Sequence, residues 1–357
     1  LRGYAHFELA RVFGNVPIVD HNLSSAEAKT LKQSSPNDVI NNRVLPDLKE
    51  AESLLPYEDG VRNAMGAKIG GQGRADKIVA KAMLARVYMT LKGWPYNDAS
   101  AKAQAKNYLE DVLKYSKDNG DKYWAPTAEE WQKQWLTEPT ISNKYQIFSI
   151  QHRLSSGNGL SGQEGYSLSG EYLPKGGGGG LMTPVFIEAS LRYEYMKNND
   201  KRGLGQAFMD GYDAYGSTPP YSNTEIRFTY DGREVTSYEE SINVKFCPFV
   251  QRRQALGVEF DDNTLGGWPL NFPILRIEDM MLLYAELLTE DGDISGAMAY
   301  VNRIRSRAGV PEVAASGKDE AMNSIKTERK LEFFLEGIRW FDQIRYGEWE
   351  STTVSKF

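Results

Sequence analysis

A single cysteine in 357 residues leaves no partner for an internal disulfide, and Cys247, set in Phe246-Cys-Pro-Phe249, reads as a small buried hydrophobe. Histidine is nearly as scarce. His6, His21 and His152 are scattered, and neither His-Glu-x-x-His nor Gly-x-Ser-x-Gly occurs, which removes two common hydrolytic chemistries. No stretch of eighteen apolar residues is present, so no helix here is built to span a bilayer. Positive charge is not in excess either. Forty-two Lys and Arg face 48 Asp and Glu, a net charge of −6, whereas a nucleic-acid or anionic-membrane partner calls for a basic face. At this length a chain buries a sizeable core without metal or disulfide.

Two tempting motifs lack their context. Gly157-Asn-Gly-Leu-Ser-Gly162 fits a dinucleotide fingerprint, but more glycine follows it instead of the helix whose N-terminus would hold a pyrophosphate. Asp291, Asp293, Ser295 and Gly296 resemble the start of a calcium loop. Asn302 occupies the place of the bidentate Glu, and helix capping by Asp293 or Ser295 is the simpler expectation. No cofactor and no metal is expected.

What is present is helical periodicity and aromatic residues. Leu1–Phe13 predicts a helix ended by Gly14 and Pro17, and a second runs from Pro36 or Asn37 to Leu55, kinked or restarted at Pro46. Asp76–Leu91 and Ala99–Ser116 predict a helix pair separated by Leu-Lys-Gly-Trp-Pro-Tyr-Asn-Asp. In the later stretch Met281–Pro311, Ala285 and Ala297 are twelve apart and are followed by Val301 and Ile304, the small-residue spacing of tetratricopeptide-like repeats. Toward the C-terminus Leu331, Phe334, Ile338, Phe341 and Ile344 form one apolar stripe, predicting a single helix over Ser324–Gly347. Between roughly 118 and 270 the chain turns rich in Gly, Pro, Ser, Asn and Tyr. Short strands are expected at Tyr145–Gln151, Asn243–Phe249 and Phe272–Ile277. Trp131 and Trp135 fit one face of a short helix, and Trp340 a structural position.

The run Glu328-Arg329, Glu332, Glu336-Gly337, Arg339, Asp342, Arg345 and Gly347 resembles the C-terminal signature of the SusD/RagB family. The Phe13-Gly14-x-x-Pro17 exit and the helices at Val44–Pro56 and Gly73–Leu91 agree with it, in the family's order. The resemblance implies one domain over 1–357, a mainly α, tetratricopeptide-like scaffold at 1–117 and 271–347, and a loop-rich ligand-binding lobe with a few short strands at 118–270. It implies non-catalytic capture of an oligosaccharide or similar nutrient at the outer surface, for a SusC-like, TonB-dependent outer-membrane transporter. A lipid-bearing N-terminal leader would then belong to the natural protein, since neither a signal peptide nor a lipid-attachment Cys is in this chain. The signature itself is expected to be a charge network that pins the last helix. Alternatives are a tetratricopeptide-like adaptor for protein partners and a helical carbohydrate-active enzyme with two carboxylates across a cleft.

Composition locates the candidate site in loops. Twenty Tyr and seven Trp are many, and an exposed aromatic face covers the apolar C–H surface of a sugar while amides and carboxylates take its hydroxyls. Trp94, Tyr96 and Asn97 share one loop with that chemistry. Trp268 in Leu-Gly-Gly-Trp-Pro, Tyr215 and Tyr221 in Tyr-Gly-Ser-Thr-Pro-Pro-Tyr, and Trp124 in Lys-Tyr-Trp-Ala-Pro are set similarly, each a ligand contact or a loop anchor.

Overall fold

The computed structural model describes residues 1–68, 73–135, 143–151, 187–210, 225–230, 233–238, 241–243, 245–246 and 271–354. The glycine motif at 157–162, His152 and Cys247 lie outside them. The chain forms two compact units, Leu1–Gly120 with Gly337–Phe357, and Asp121–Glu336.

The first unit opens with helix α1 (Arg2–Phe13), whose buried face is Gly3, His6, Phe7 and Ala10. His6 ties down the chain that leaves the helix. Its Nε2 accepts from the Val19 N–H at 3.0 Å, which fixes the tautomer, so Nδ1 donates to the Arg2 carbonyl at 2.9 Å. Short helices α2 (Ser25–Ala28) and α3 (Pro36–Val39) follow, capped by Ser24 and Ser35. From α3 the chain passes through a π turn at Ile40–Val44 into α4 (Leu45–Leu54). Pro46 lacks the N–H that would continue the ladder, and the wide turn just before it absorbs the mismatch. Next, α5 (Lys77–Lys92) is apolar nearly all round and buried accordingly, while α6 (Ala101–Asp118) turns Ala101, Ala105, Leu109 and Val112 inward at helical spacing.

In the second unit α7 (Ala128–Lys133) leads into strand β1 (Phe148–Ile150), and α8 (Ala189–Met196) into β2 (Phe208–Asp210). A hairpin, β3 (Glu225–Tyr230) with β4 (Arg233–Tyr238), and β5 (Ser241–Asn243) follow. The last strand, β6 (Phe272–Leu275), pairs antiparallel with β1, and β5 does so with β2. Helices α9 (Ile277–Asp291) and α10 (Ile294–Ala308) pack on each other, and Ala285, Ala297, Val301 and Ile304 are all fully buried, in keeping with the repeat spacing. Asp293 caps α10, accepting from the Gly296 N–H at 2.8 Å. α11 (Lys318–Glu332) packs on both. Trp131 and Trp135 meet edge-on in the core with Phe246.

The single helix expected over Ser324–Gly347 is not formed. α11 stops at Glu332, and the chain resumes as α12 (Arg339–Arg345) and then α13 (Trp349–Val354) in the first unit. Between them Leu335 and Gly337 take positive φ of 64° and 71°, left-handed backbone that ends a helix. The break is driven by charge: it turns Glu336 inward, where its carboxylate accepts from Arg276 Nε and Nη2, each at 2.8 Å, and from Lys245 Nζ at 2.6 Å.

Among the described residues Glu336 belongs to a buried network of five cations and five carboxylates. Arg202 pairs with Asp200, Glu328 and Glu332; Arg276 with Glu278, Glu332 and Glu336; Arg307 with Glu278 and Glu332; Arg305 with Glu328; Lys245 with Glu336. Burial alone would raise the Glu332 pKa, but Arg307, Arg276 and Arg202 outweigh it and hold the carboxyl well below its usual range. Lys245 is the exception. Its ammonium lies 4.4 Å from the Trp135 ring, and burial, helped by Arg276, lowers its pKa to about 8. The unfolded chain keeps that proton to about 10.5, so this group costs stability below pH 8 and the cost fades as pH rises from 8 to 10.5. Lys245→Met should therefore remove a rise of up to about 3 kcal/mol across that window, read from denaturant titrations at each pH. An unchanged pH profile would contradict the buried-ammonium account.

Candidate functional site

The loop between α5 and α6 is built by backbone bonds. After Gly93 ends α5, the Trp94-Pro95 peptide is cis, and Asn97 sits in the left-handed region at φ 49°, donating its N–H to the Gly93 carbonyl at 2.8 Å. The Asp98 N–H reaches back to the Leu91 carbonyl at 2.9 Å, and its Oδ1 accepts from both the Ser100 N–H (2.9 Å) and Oγ (2.6 Å). These bonds close the loop on itself and hold Trp94 at its tip, 52% exposed. Tyr96 is half-buried, and burial raises its hydroxyl pKa. The Asn97 side chain is exposed, its Nδ2 3.4 Å from the Pro95 carbonyl. A flat apolar face, a phenol and an amide thus occupy four consecutive positions of one fixed loop.

A second element holds that loop, and sequence reasoning missed it. The Trp94 N–H donates to the Arg345 carbonyl at 3.0 Å, where α12 ends, and a Cβ placed on Gly347 would lie 3.8 Å from the Trp94 Cβ. Arg345 is itself fixed by Asp342 at 2.8 Å and by donation to the Tyr346 hydroxyl at 2.8 Å. A Cβ on Gly93 would lie 2.6 Å from the Arg345 carbonyl oxygen, so only glycine allows this docking. Gly93→Ala is expected to cost about 1–3 kcal/mol of stability and to loosen the loop. Thermal unfolding checks this; an unshifted midpoint would mean that the loop does not depend on the contact. The only signal in the sequence was a glycine on each side of the contact.

Trp124 belongs to the second unit and has the other fate offered to it. It is 8% exposed, with the guanidinium carbons of Arg303 and Arg307 each 4.6 Å from its ring, which makes it a loop anchor. Trp268, Tyr215 and Tyr221 lie outside the described residues. Trp340, expected to be structural, is 42% exposed and stacks at a tilt on Phe341. Among the described residues no group of three or more His, Cys, Asp or Glu is placed to hold a metal ion.

Paired helices, with α11 locked by charge in the second unit and an aromatic loop closed by backbone bonds in the first, define a tetratricopeptide-like helical scaffold protein. The chain belongs to the SusD family, whose profile matches residues 144–357. SusD-like protein P38 of Formosa agariphila is 22% identical over 97% of this chain and 64% of its own length. Two solved structures share the fold. A laminarin-binding SusD-like protein superposes with a TM-score of 0.66 at 22% identity, covering 99% of this chain and 71% of that one. Another, solved with xylogluco-oligosaccharide, gives 0.65 at 19% identity over 99% and 65%. The chain spans less than two thirds of the length of the curated relatives it matches.

Proposed function

We propose that this chain binds an oligosaccharide without cleaving it, at the cell surface, and hands it to a SusC-like, TonB-dependent transporter. Trp94 is the stacking platform, and Tyr96 and Asn97 serve the sugar hydroxyls. The observation that carries the reading is an indole more than half exposed on a loop that its own backbone and Arg345 hold still. A pre-set aromatic face loses less entropy on binding than an adaptable loop would. Family membership and the laminarin and xyloglucan ligands of structural neighbours support a glycan as cargo.

Glu332 is held ionised by three guanidinium groups and so is not the raised-pKa acid that a glycosidase uses. Attachment would come from a lipid on a leader segment; among the described residues no helix is long and apolar enough to cross a membrane. Trp268, Tyr215 and Tyr221 stay as proposed contacts of the loop-rich lobe. Isothermal titration against laminarin, xyloglucan and other plant and microbial oligosaccharides, with product analysis of the same samples, tests the reading. Micromolar to millimolar dissociation constants, about −8 to −4 kcal/mol, with intact sugar are expected. Cleavage products would replace capture with catalysis, and silence across the panel would favour a peptide cargo or a protein-binding adaptor.

A further inference from the structure

The turn that holds the Trp94 loop continues directly into another exposed indole. Trp349 opens α13 two residues after Gly347 and is 44% exposed, and that helix buries none of its residues. A Cβ built on Gly347 lies 3.8 Å from the Trp94 Cβ. Two residues of chain reach no more than about 7 Å, so the two tryptophan Cβ atoms lie within about 14 Å of each other. Large apolar faces exposed this close together carry a solvation cost that a ligand would relieve. Two carboxylates are exposed next to the indoles in the chain. Asp98, on the Trp94 loop, and Glu350, beside Trp349, are exposed, while the nearby Arg345 is neutralised by Asp342.

We propose that Trp349 is a second stacking surface of the same site, and that the cargo is an uncharged glycan long enough to lie across both indoles. This rests on the binding function proposed for Trp94 and adds length and charge selectivity to it. A monosaccharide would engage one indole only. A polyuronide or sulfated chain would meet Asp98 and Glu350 with like charge. Arg345 and Gly347 are then positioning residues, since they fix the spacing between the two faces.

Titration of the parent, Trp94→Ala, Trp349→Ala and Trp349→Phe chains separates the possibilities. The probes are glucose, laminarin oligomers of increasing length and an oligouronide of matched length, with the tightest-binding neutral oligosaccharide of the wider panel in parallel. Affinity of the parent should rise with oligomer length. Trp349→Ala should weaken the long neutral oligomers about three- to tenfold and flatten the length dependence. Trp349→Phe should restore most of the loss. Oligouronide binding equal to that of the neutral chain would overturn the charge argument. If Trp94→Ala abolishes binding while Trp349→Ala matches the parent at every length, the second surface is wrong and the first stands. If Trp94→Ala changes nothing, the binding reading itself falls, and this inference with it.

Discussion

Glu332→Ala is expected to destabilise the unit formed by Asp121–Glu336 by about 3–5 kcal/mol, lowering its Tm on the order of 10 °C. The carboxylate is fully buried and every approach to it is occupied. Oε1 accepts from Trp131 Nε1 and Arg276 Nη1, each at 2.9 Å, and Oε2 from Arg202 Nη1 at 2.8 Å and Arg307 Nη2 at 2.7 Å. Its removal leaves a five-on-five network with one uncompensated positive charge in a buried interior, together with an indole N–H that has lost its acceptor. The desolvation of those cations has already been spent on folding, and the loss therefore far exceeds that of an exposed ion pair. Thermal and denaturant unfolding of the variant read the effect directly. A change under about 1 kcal/mol would mean that the network is dispensable.

Trp94→Ala is the second large effect, and its signature is the opposite one. Affinity for the oligosaccharide should fall about 30-fold, on the order of 2 kcal/mol, because the indole is the central contact surface. Stability should hardly move, since the side chain is more than half exposed and the loop's bonds are made by its backbone, which alanine keeps. Titration and melting on the same preparation separate the two. A lowered Tm with unchanged affinity of the folded fraction would return Trp94 to packing.

The scaffold was legible because its periodicities are local. Ala285 and Ala297 announced a close helix pair, and the α5–α6 hairpin could be read to within two residues of its ends, because buried faces repeat at helical spacing. The C-terminal signature was legible as charge but misread as one helix. Its apolar stripe continues through Phe334 and Ile338, and only the partners of Glu336, Arg276 and Lys245, reveal why the helix must break there. Those partners lie far away in sequence, and nothing local to Glu336 points to them. The same limit applied to the aromatic loops. Trp94 and Trp124 have similar neighbours in the chain, and what separates them is tertiary: Arg303 and Arg307 enclose one ring, while the Arg345 carbonyl holds the other loop with its ring outward. Trp349 carried no signal at all, because its meaning comes from Gly347 lying close to Trp94.

The most direct measurement is a crystal structure of the chain soaked with the tightest-binding oligosaccharide of the panel. A sugar ring stacked on the Trp94 indole, with a hydroxyl bonded to Asn97, is the predicted result. A ligand seated elsewhere, with the Trp94 face bare, would contradict the account.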